Sequence, residues 1–355
     1  MVVVAPVLRM GGILLLALGL FLGGIGNAFA GTTYGPNGPS NVNTNQQTVA
    51  KAADLTTGII NDRISNATVD AGFGTFSAAG STQLFVAGNG GGKAAGSEPE
   101  KFGLWGSLGA TWVRDTQPGV NFSGSIISGV AGADYRALPW LLVGIAGGYE
   151  SSSIDTIFNS GKQWSGGAVV SLYSAIRLGN NLSFTVQGGR GWLNYWETHG
   201  GINGAFTGER WFGSANLNVG TAIDKWQLAG SLGYFFFTET QSSYTETNGN
   251  VVPSSTPYLG QIRLKGQVGY EFTTNWGTIM PFVSARLEFD TNYSDAPIIS
   301  AQGQRAAYSP FGTTFGAGIK AKIGDSTSFI LEGTTLQFRP YFESYGLNGS
   351  FRIKF

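Results

Sequence analysis

From Lys101 to Phe355, apolar and polar residues alternate with the two-residue period of β-strands. The clearest stretch runs from Gln261 to Phe272. Ile262, Leu264, Gly266, Val268, Tyr270 and Phe272 share one face; Gln261, Arg263, Lys265, Gln267, Gly269 and Glu271 share the other. The same split sets Trp164, Ala168, Val170, Leu172 and Ile176 against Ser165, Ser171, Tyr173 and Arg177. It sets Phe311, Phe315, Ala317, Ile319 and Ile323 against Lys320 and Lys322. It closes the chain with Tyr345, Leu347, Phe351, Ile353 and Phe355 opposite Asn348, Ser350, Arg352 and Lys354. Twelve such segments can be delimited, at about 101–114, 121–136, 141–153, 162–178, 182–197, 208–223, 226–241, 258–272, 278–290, 310–323, 327–338 and 343–355. Most exceed the ~9–11 residues with which a tilted strand crosses a bilayer. Two fit less well. In 182–197, Arg190 shares a parity with Phe184, Val186 and Trp192, so a bulge near Gly188-Gly189 is expected to repair the register. In 121–136, Ile126 and Ile127 lie on opposite faces.

The connections alternate in length. Ala137 to Trp140, Gly179 to Asn181, Asp224-Lys225, Thr273 to Gly277 and Gly324 to Ser326 are short. Ile154 to Gly161, Thr198 to Thr207, Ser242 to Pro257 and Thr291 to Ser309 are longer. Tight turns at one end and longer loops at the other mark an antiparallel barrel of the outer membrane, with the tight turns periplasmic. An even strand count brings Lys101 and Phe355 to the periplasmic side. A soluble β-sandwich is the competing architecture, but its strands typically run ~5–6 residues and its outer face carries many charges.

Upstream the pattern changes. The first thirty residues read as a secretory signal peptide: Arg9 is the basic start, Gly11 to Gly24 the apolar run and Ala28-Phe29-Ala30 the small-x-small cleavage pattern. That run is shorter than the roughly 20 residues of a spanning helix, so the mature chain is expected to enter a membrane only as strands. Residues 31–100 form a short N-terminal segment. One helix is expected near 46–66, with an apolar stripe through Val49, Ala52, Leu55 or Ile59, and Ile64; Gly58 interrupts it. Residues 71–100 are Gly, Ala and Ser rich and read as a linker.

Composition narrows the field. Charged residues are 12% and aromatics 13% of the chain, and 56 of its 355 residues are glycine. Soluble domains carry about 25% charge. Lys+Arg 21 against Asp+Glu 21 leaves no net charge and no basic block, so nucleic acid is not an expected partner. Cysteine is absent, which excludes disulfides, thiolate metal sites and cysteine nucleophiles. With the single histidine His199, a metal site built on imidazoles is not expected.

Placed on a barrel, the polar faces send Arg263, Lys265, Glu271, Arg286, Glu288, Lys320, Lys322, Glu332, Arg352 and Lys354 into the lumen, because each would cost a few kcal/mol against lipid at mid-depth. They would line a selective pore or, the reading preferred here, clamp a helix plug and one another. Trp112, Tyr149, Trp164, Trp211, Trp226, Tyr270 and Phe355 would be interface aromatics. Asp115, Glu197, Glu209, Asp290, Asp295 and His199 fall near outer loops, and Gly324-Asp325-Ser326 reads as ordinary turn chemistry. No catalytic residue, cofactor or metal is expected.

Together the signal peptide, the glutamine-containing helix, the Gly-rich linker, the twelve strands and the terminal Phe resemble the C-terminal translocator barrel of autotransporters, the type V secretion family. Phe102-Gly103-Leu104-Trp105-Gly106 is similar to the family's first strand. Tyr345, Leu347, Phe351, Ile353 and Phe355 resemble the terminal signal read by the outer-membrane assembly machinery. The resemblance implies a monomeric twelve-stranded antiparallel barrel over 101–355, in the outer membrane and in contact with its lipid. Autotransporters usually carry a long passenger ahead of the barrel, whereas here much of the stretch before strand one reads as linker. A structural or translocator role with a reduced or absent passenger is therefore expected; the alternatives are a porin-like channel for small solutes and an enzyme using loop residues.

Overall fold

A computed structural model describes residues 38–70, 101–294, 307–324 and 327–354. The expected signal peptide, the linker, Asp295, Asp325-Ser326 and Phe355 lie outside the described residues. One helix precedes the sheet, α1 at Asn41–Asp70. Twelve long strands follow: β1 (Phe102–Asp115), β2 (Phe122–Leu138), β3 (Leu141–Thr156), β4 (Gly161–Arg177), β5 (Leu182–His199), β6 (Ile202–Ile223), β7 (Trp226–Gln241), β8 (Tyr258–Tyr270), β9 (Gly277–Tyr293), β10 (Phe311–Ile323), β11 (Thr327–Gln337) and β12 (Phe342–Lys354). Each pairs antiparallel with its chain neighbour, and β1 pairs with β12 from Gly103 opposite Lys354 to Asp115 opposite Phe342. The ring is closed, so no strand edge is left open. Closure is what lets strands cross hydrocarbon, where an unpaired backbone N–H or C=O would cost several kcal/mol.

The two faces sort as the alternation requires. Leu104, Leu108, Ile145, Leu172, Leu232 and Leu331 point outward, each at least half exposed on the isolated chain. Ser128, Thr185, Gln187, Arg210, Glu239 and Glu288 face inward and are buried. Trp112, Tyr149, Trp164, Trp211 and Trp226 are exposed on the outer wall. No described helix is long and apolar enough to cross a membrane.

The structure corrects the pattern in three places. The loop expected at Thr198 to Thr207 is strand: β5 and β6 run on to a two-residue turn at Gly200-Gly201, both at positive φ (52° and 82°). Two consecutive residues at positive φ make the turn whose twist matches a hairpin, and glycine reaches it without strain. The bulge expected near Gly188-Gly189 does not form, because the registers with β4 and β6 run unbroken through both glycines. Arg190 stays on the outer face instead. Its guanidinium lies 2.7 Å from Glu209 and stacks 5.1 Å and 5.0 Å from the rings of Trp192 and Trp211. Finally, α1 is longer than the expected 46–66; its 30 residues span about 45 Å.

α1 runs inside the ring, touching β1 to β8 and β12. Val49, Ala52, Ala53, Leu55, Ile59, Ile60 and Ile64 are buried against Trp105, Val113, Ile126, Val130, Leu142 and Val169. This explains Ile126 and Ile127: Ile126 turns inward to the helix, and Ile127 turns outward, 48% exposed. Gly109 makes the close approach possible, since a Cβ there would sit 2.7 Å from Leu55 Cδ1.

Candidate functional site

The lumen is the site that the fold builds. At its outer end the chain entering α1 is pinned. Asn159 Nδ2 donates to Gly38 O (2.9 Å) and Ser40 Oγ (3.0 Å), and Ser40 Oγ meets Thr156 Oγ1 at 2.9 Å and donates to Thr198 O at 3.1 Å. Nearly four turns farther along α1, Asp54 takes Arg263 at 2.8 Å and Arg286 at 3.0 Å, with Lys51 at 3.5 Å. Thr56 Oγ1 donates to Glu150 (3.1 Å), and Gln187 Nε2 donates to the Thr57 carbonyl (2.8 Å). Asn61 Oδ1 accepts from Ser214 (2.9 Å) and Asn216 (3.2 Å), and Asp62 lies 3.5 Å from Lys265. Alternate strand residues point inward, so these partners come from five different strands, β3, β5, β6, β8 and β9, yet converge on one helix.

A second layer holds the wall to itself. Arg210 is buried between Glu150 and Glu239, 2.8 Å from the latter, and the Tyr195 hydroxyl donates to Glu239 at 2.7 Å. A guanidinium this deep needs both carboxylates, because an unpaired buried charge is costly. Higher up, Asp290 accepts two bonds from Arg339, at 2.7 Å and 2.9 Å, and one from the Tyr308 hydroxyl. Burial and the neighbouring Asp290 carboxylate push the loop residue Tyr308 well above the ordinary phenol range.

The ten charged residues singled out from alternation fall as follows. Arg263 and Arg286 meet α1 through Asp54, and Lys265 through Asp62. Glu288 is bound by Arg286 (2.7 Å), and Glu332 accepts from Ser284 (3.1 Å). Arg352 pairs with Asp134 at 2.9 Å, across the β12–β1–β2 seam. Lys320 lies 5.1 Å over the Phe282 ring, with Lys322 on the same face. Lys354 is the last described residue. Glu271 sits in the inner-end turn after β8, where Gln227 donates to it at 3.4 Å. Burial pushes its carboxyl up to about 7, against the opposing pull of Gln227 and Lys225. Tyr345, Leu347, Phe351 and Ile353 all face outward on β12.

α1 packs on one side of the lumen and leaves a cavity of about 270 Å³ on the other, lined in part by Asp54, Asn61, Asp62, Asn216, Lys265 and Glu332. Alternation alone pointed to neither Asp54 nor Glu246. Glu150, Arg210 and Glu239 sit on polar parities that the same rule reaches. Of the outer-loop candidates, Glu197 and His199 come together, joined by Glu246; Glu209 faces out with Arg190, and Asp115 caps β1 with its carboxylate on the Gln117 N–H (2.8 Å).

Residues 104–334 match the family profile of the autotransporter β-domain. The structure is similar to the translocator domain of the autotransporter NalP from Neisseria meningitidis, with TM-score 0.62 and 11% identity over 88% of this chain and 99% of that one. It is similar to the transport unit of the Escherichia coli autotransporter AIDA-I, with TM-score 0.57 and 14% identity over 76% and 94%. The β-domain of the Bordetella autotransporter BrkA gives TM-score 0.56 and 13% identity over 72% and 100%. At these identities the likeness is one of fold. No curated protein sequence matches the chain.

Proposed function

Since the chain belongs to the autotransporter β-domain family, whose barrels lie in the outer membrane of Gram-negative bacteria, we propose that it acts as a translocator whose own helix closes the lumen. The supporting observation is α1 running inside the ring with Asp54 held between Arg263 and Arg286. In this reading the first thirty residues direct export, and the chain ahead of Ser40 leaves through the outer end. The passenger is reduced or absent, and the role is structural rather than enzymatic. Lys265, Arg286, Glu288, Lys320, Lys322, Glu332, Arg352 and Lys354 line or brace the lumen with Arg263, and Glu271 marks its inner rim. The outward residues of β12, with Phe355, form the signal for the assembly machinery. The barrel acts as a monomer.

Conductance in planar bilayers tests this. The wild-type protein is expected to conduct weakly. Asp54→Lys, which sets a third positive charge against Arg263 and Arg286, is expected to raise both open time and conductance. Deleting residues 38–70 is expected to give a large steady pore. A wild-type pore that is already large, and unchanged by the deletion, would favour the channel for small solutes. Topology has a separate check, because the natural chain contains no cysteine. A cysteine at Gly38 should react with an impermeant maleimide on intact cells, and one at Lys225 should not.

A further inference from the structure

Beyond the lumen, the outer ends of β5 and β6 carry a cluster that the translocator role does not use. Glu197 and His199 are two residues apart on β5 and therefore share its inner face. The outer loop between β7 and β8 folds over them as a small hairpin, Tyr244–Thr245 paired with Val251–Val252. Its turn brings Glu246 to the same point, so one candidate ligand atom from each of Glu197, His199 and Glu246 lies within 4.8 Å of the others. All three residues are at most 3% exposed.

The cluster is built rather than accidental. Tyr195, Phe206 and Tyr244 stack beside it with centroids 4.7 Å and 4.9 Å apart, and Leu193 and Val252 complete the apolar group. The Tyr244 hydroxyl donates to Glu197 Oε1. Gly204 leaves room for that ring, since a Cβ there would lie 2.4 Å from Tyr244 Cε2. Asn250 Nδ2 donates to Glu246 Oε2 at 2.9 Å, which turns Oε1 toward the imidazole. The loop is tied down by Thr247 N donating to Asn203 O (2.9 Å) and by the Gln241–Ser255 bridge.

Two atoms in this pocket lack hydrogen-bond partners, Glu246 Oε1 and His199 Nδ1. Glu246 Oε1 faces His199 Nε2 at 3.6 Å, too long for a hydrogen bond. It does match the separation of about 3.3–3.6 Å between two atoms bound to one tetrahedral zinc at about 2.0–2.2 Å. Two carboxylates and one imidazole sealed among aromatic rings carry negative charge that a bound dication would offset. One nitrogen and two oxygen donors suit Zn²⁺ and its transition-metal neighbours, whereas Ca²⁺ and Mg²⁺ prefer all-oxygen shells. We propose that Glu197, His199 and Glu246 bind a divalent transition cation of the zinc type, which fastens the outer loop after β7 to the β5–β6 hairpin.

The test uses the full chain in detergent without a histidine tag, so that its single imidazole is His199. Titration with Zn²⁺ is expected to give one site per chain. The affinity should fall at least tenfold in His199→Ala and in Glu246→Gln. Co²⁺ should give the visible absorption of a four-coordinate ion, and the His199 imidazole resonances should shift on saturation. Cleavage after Glu246 by a glutamate-specific protease should slow tenfold or more with zinc. Heat-modifiable gel mobility verifies that each variant is folded. Equal zinc affinity in wild type and both folded variants would overturn the proposal. Should a variant fail to fold, an imidazole signal unmoved by saturating zinc in the wild type overturns it equally.

Discussion

Arg190 and Arg210 lie within twenty residues of each other on adjacent strands and live in opposite environments. Arg210 is buried with Glu150, Glu239 and Tyr195 around it; Arg190 stands on the outer wall between Trp192 and Trp211. Arg210→Ala leaves two carboxylates sealed without their counter-ion. It is expected to destabilise the barrel by about 3–5 kcal/mol, read from urea unfolding of the detergent-refolded protein. Arg190→Ala should change the same measurement far less, because Arg190 and Glu209 are only half-buried on the outer wall and their loss leaves no carboxylate sealed in the protein. Glu271 supplies a pH test. Its carboxyl stands at about 7 in the folded protein against 4.5 ordinarily. The folded state therefore takes up a proton in that window before the unfolded chain does. Stability from this group rises as pH falls through 7 toward 4.5, and it is missing above 7. Melting temperature is expected to be higher near pH 5 than near pH 8 by an amount that Glu271→Gln removes. Parity alone assigned Glu271 to a polar face, and Arg210 sits on such a parity although the sequence does not single it out. The partners of such charges are not legible, because parity fixes a face and not a neighbour; Arg190 keeps its apolar parity, without the expected bulge, and meets Glu209 on the outer side.

At the scale of elements, α1 carries most of what the strands could not foretell. Its stripe through Val49, Ala52, Leu55, Ile59 and Ile64 is legible as an amphipathic helix, and all five residues are buried. Where it docks depends on Gly109, Ile126 and Asp54, which sit in separate elements. Gly109→Leu puts a side chain where Leu55 and Ile59 now pack, the nearest of the two methyls 2.7 Å from its Cβ. Overpacking of this kind typically costs about 1–3 kcal/mol, and here the helix is the movable partner. The expected outcome is a barrel of normal gel mobility with raised bilayer conductance; unchanged conductance would show that α1 is held in place by its ion pairs alone. The β5–β6 hairpin carries the same lesson. Gly200-Gly201 was hidden in a polar stretch with too little alternation to be read as strand, yet both strands continue to it, beyond what a membrane needs.

For the whole molecule, the decisive contact is the seam between the first and last strands. Phe351 lies across Gly106, where a Cβ would come within 2.7 Å of its ring, and Arg352 meets Asp134 of β2 over the same seam. Replacing Tyr345, Phe351 and Ile353 together with threonine keeps the β propensity but removes most of the outward apolar row, leaving Leu347. Such a variant is expected to accumulate unassembled in cells while still refolding into detergent. Outer-membrane fractions and the heat-dependent gel shift separate the two steps. Normal assembly in cells would remove these residues from the signal proposed above.

Alternation with a period of two is a local property, written residue by residue, so the chain alone determined the strands and their two faces, but not the length of every turn, since the β5–β6 connection is two glycines in place of the expected longer loop. With lipid outside and polar side chains within, that pattern admits a closed wall. The occupant of the wall was decided in three dimensions. The seat of α1, the Asp54 clamp, the Arg210 cluster and the meeting of Glu197, His199 and Glu246 each join residues from elements distant in the chain. Such pairings are set by ring closure and by the stagger of the strands, and no local periodicity records them.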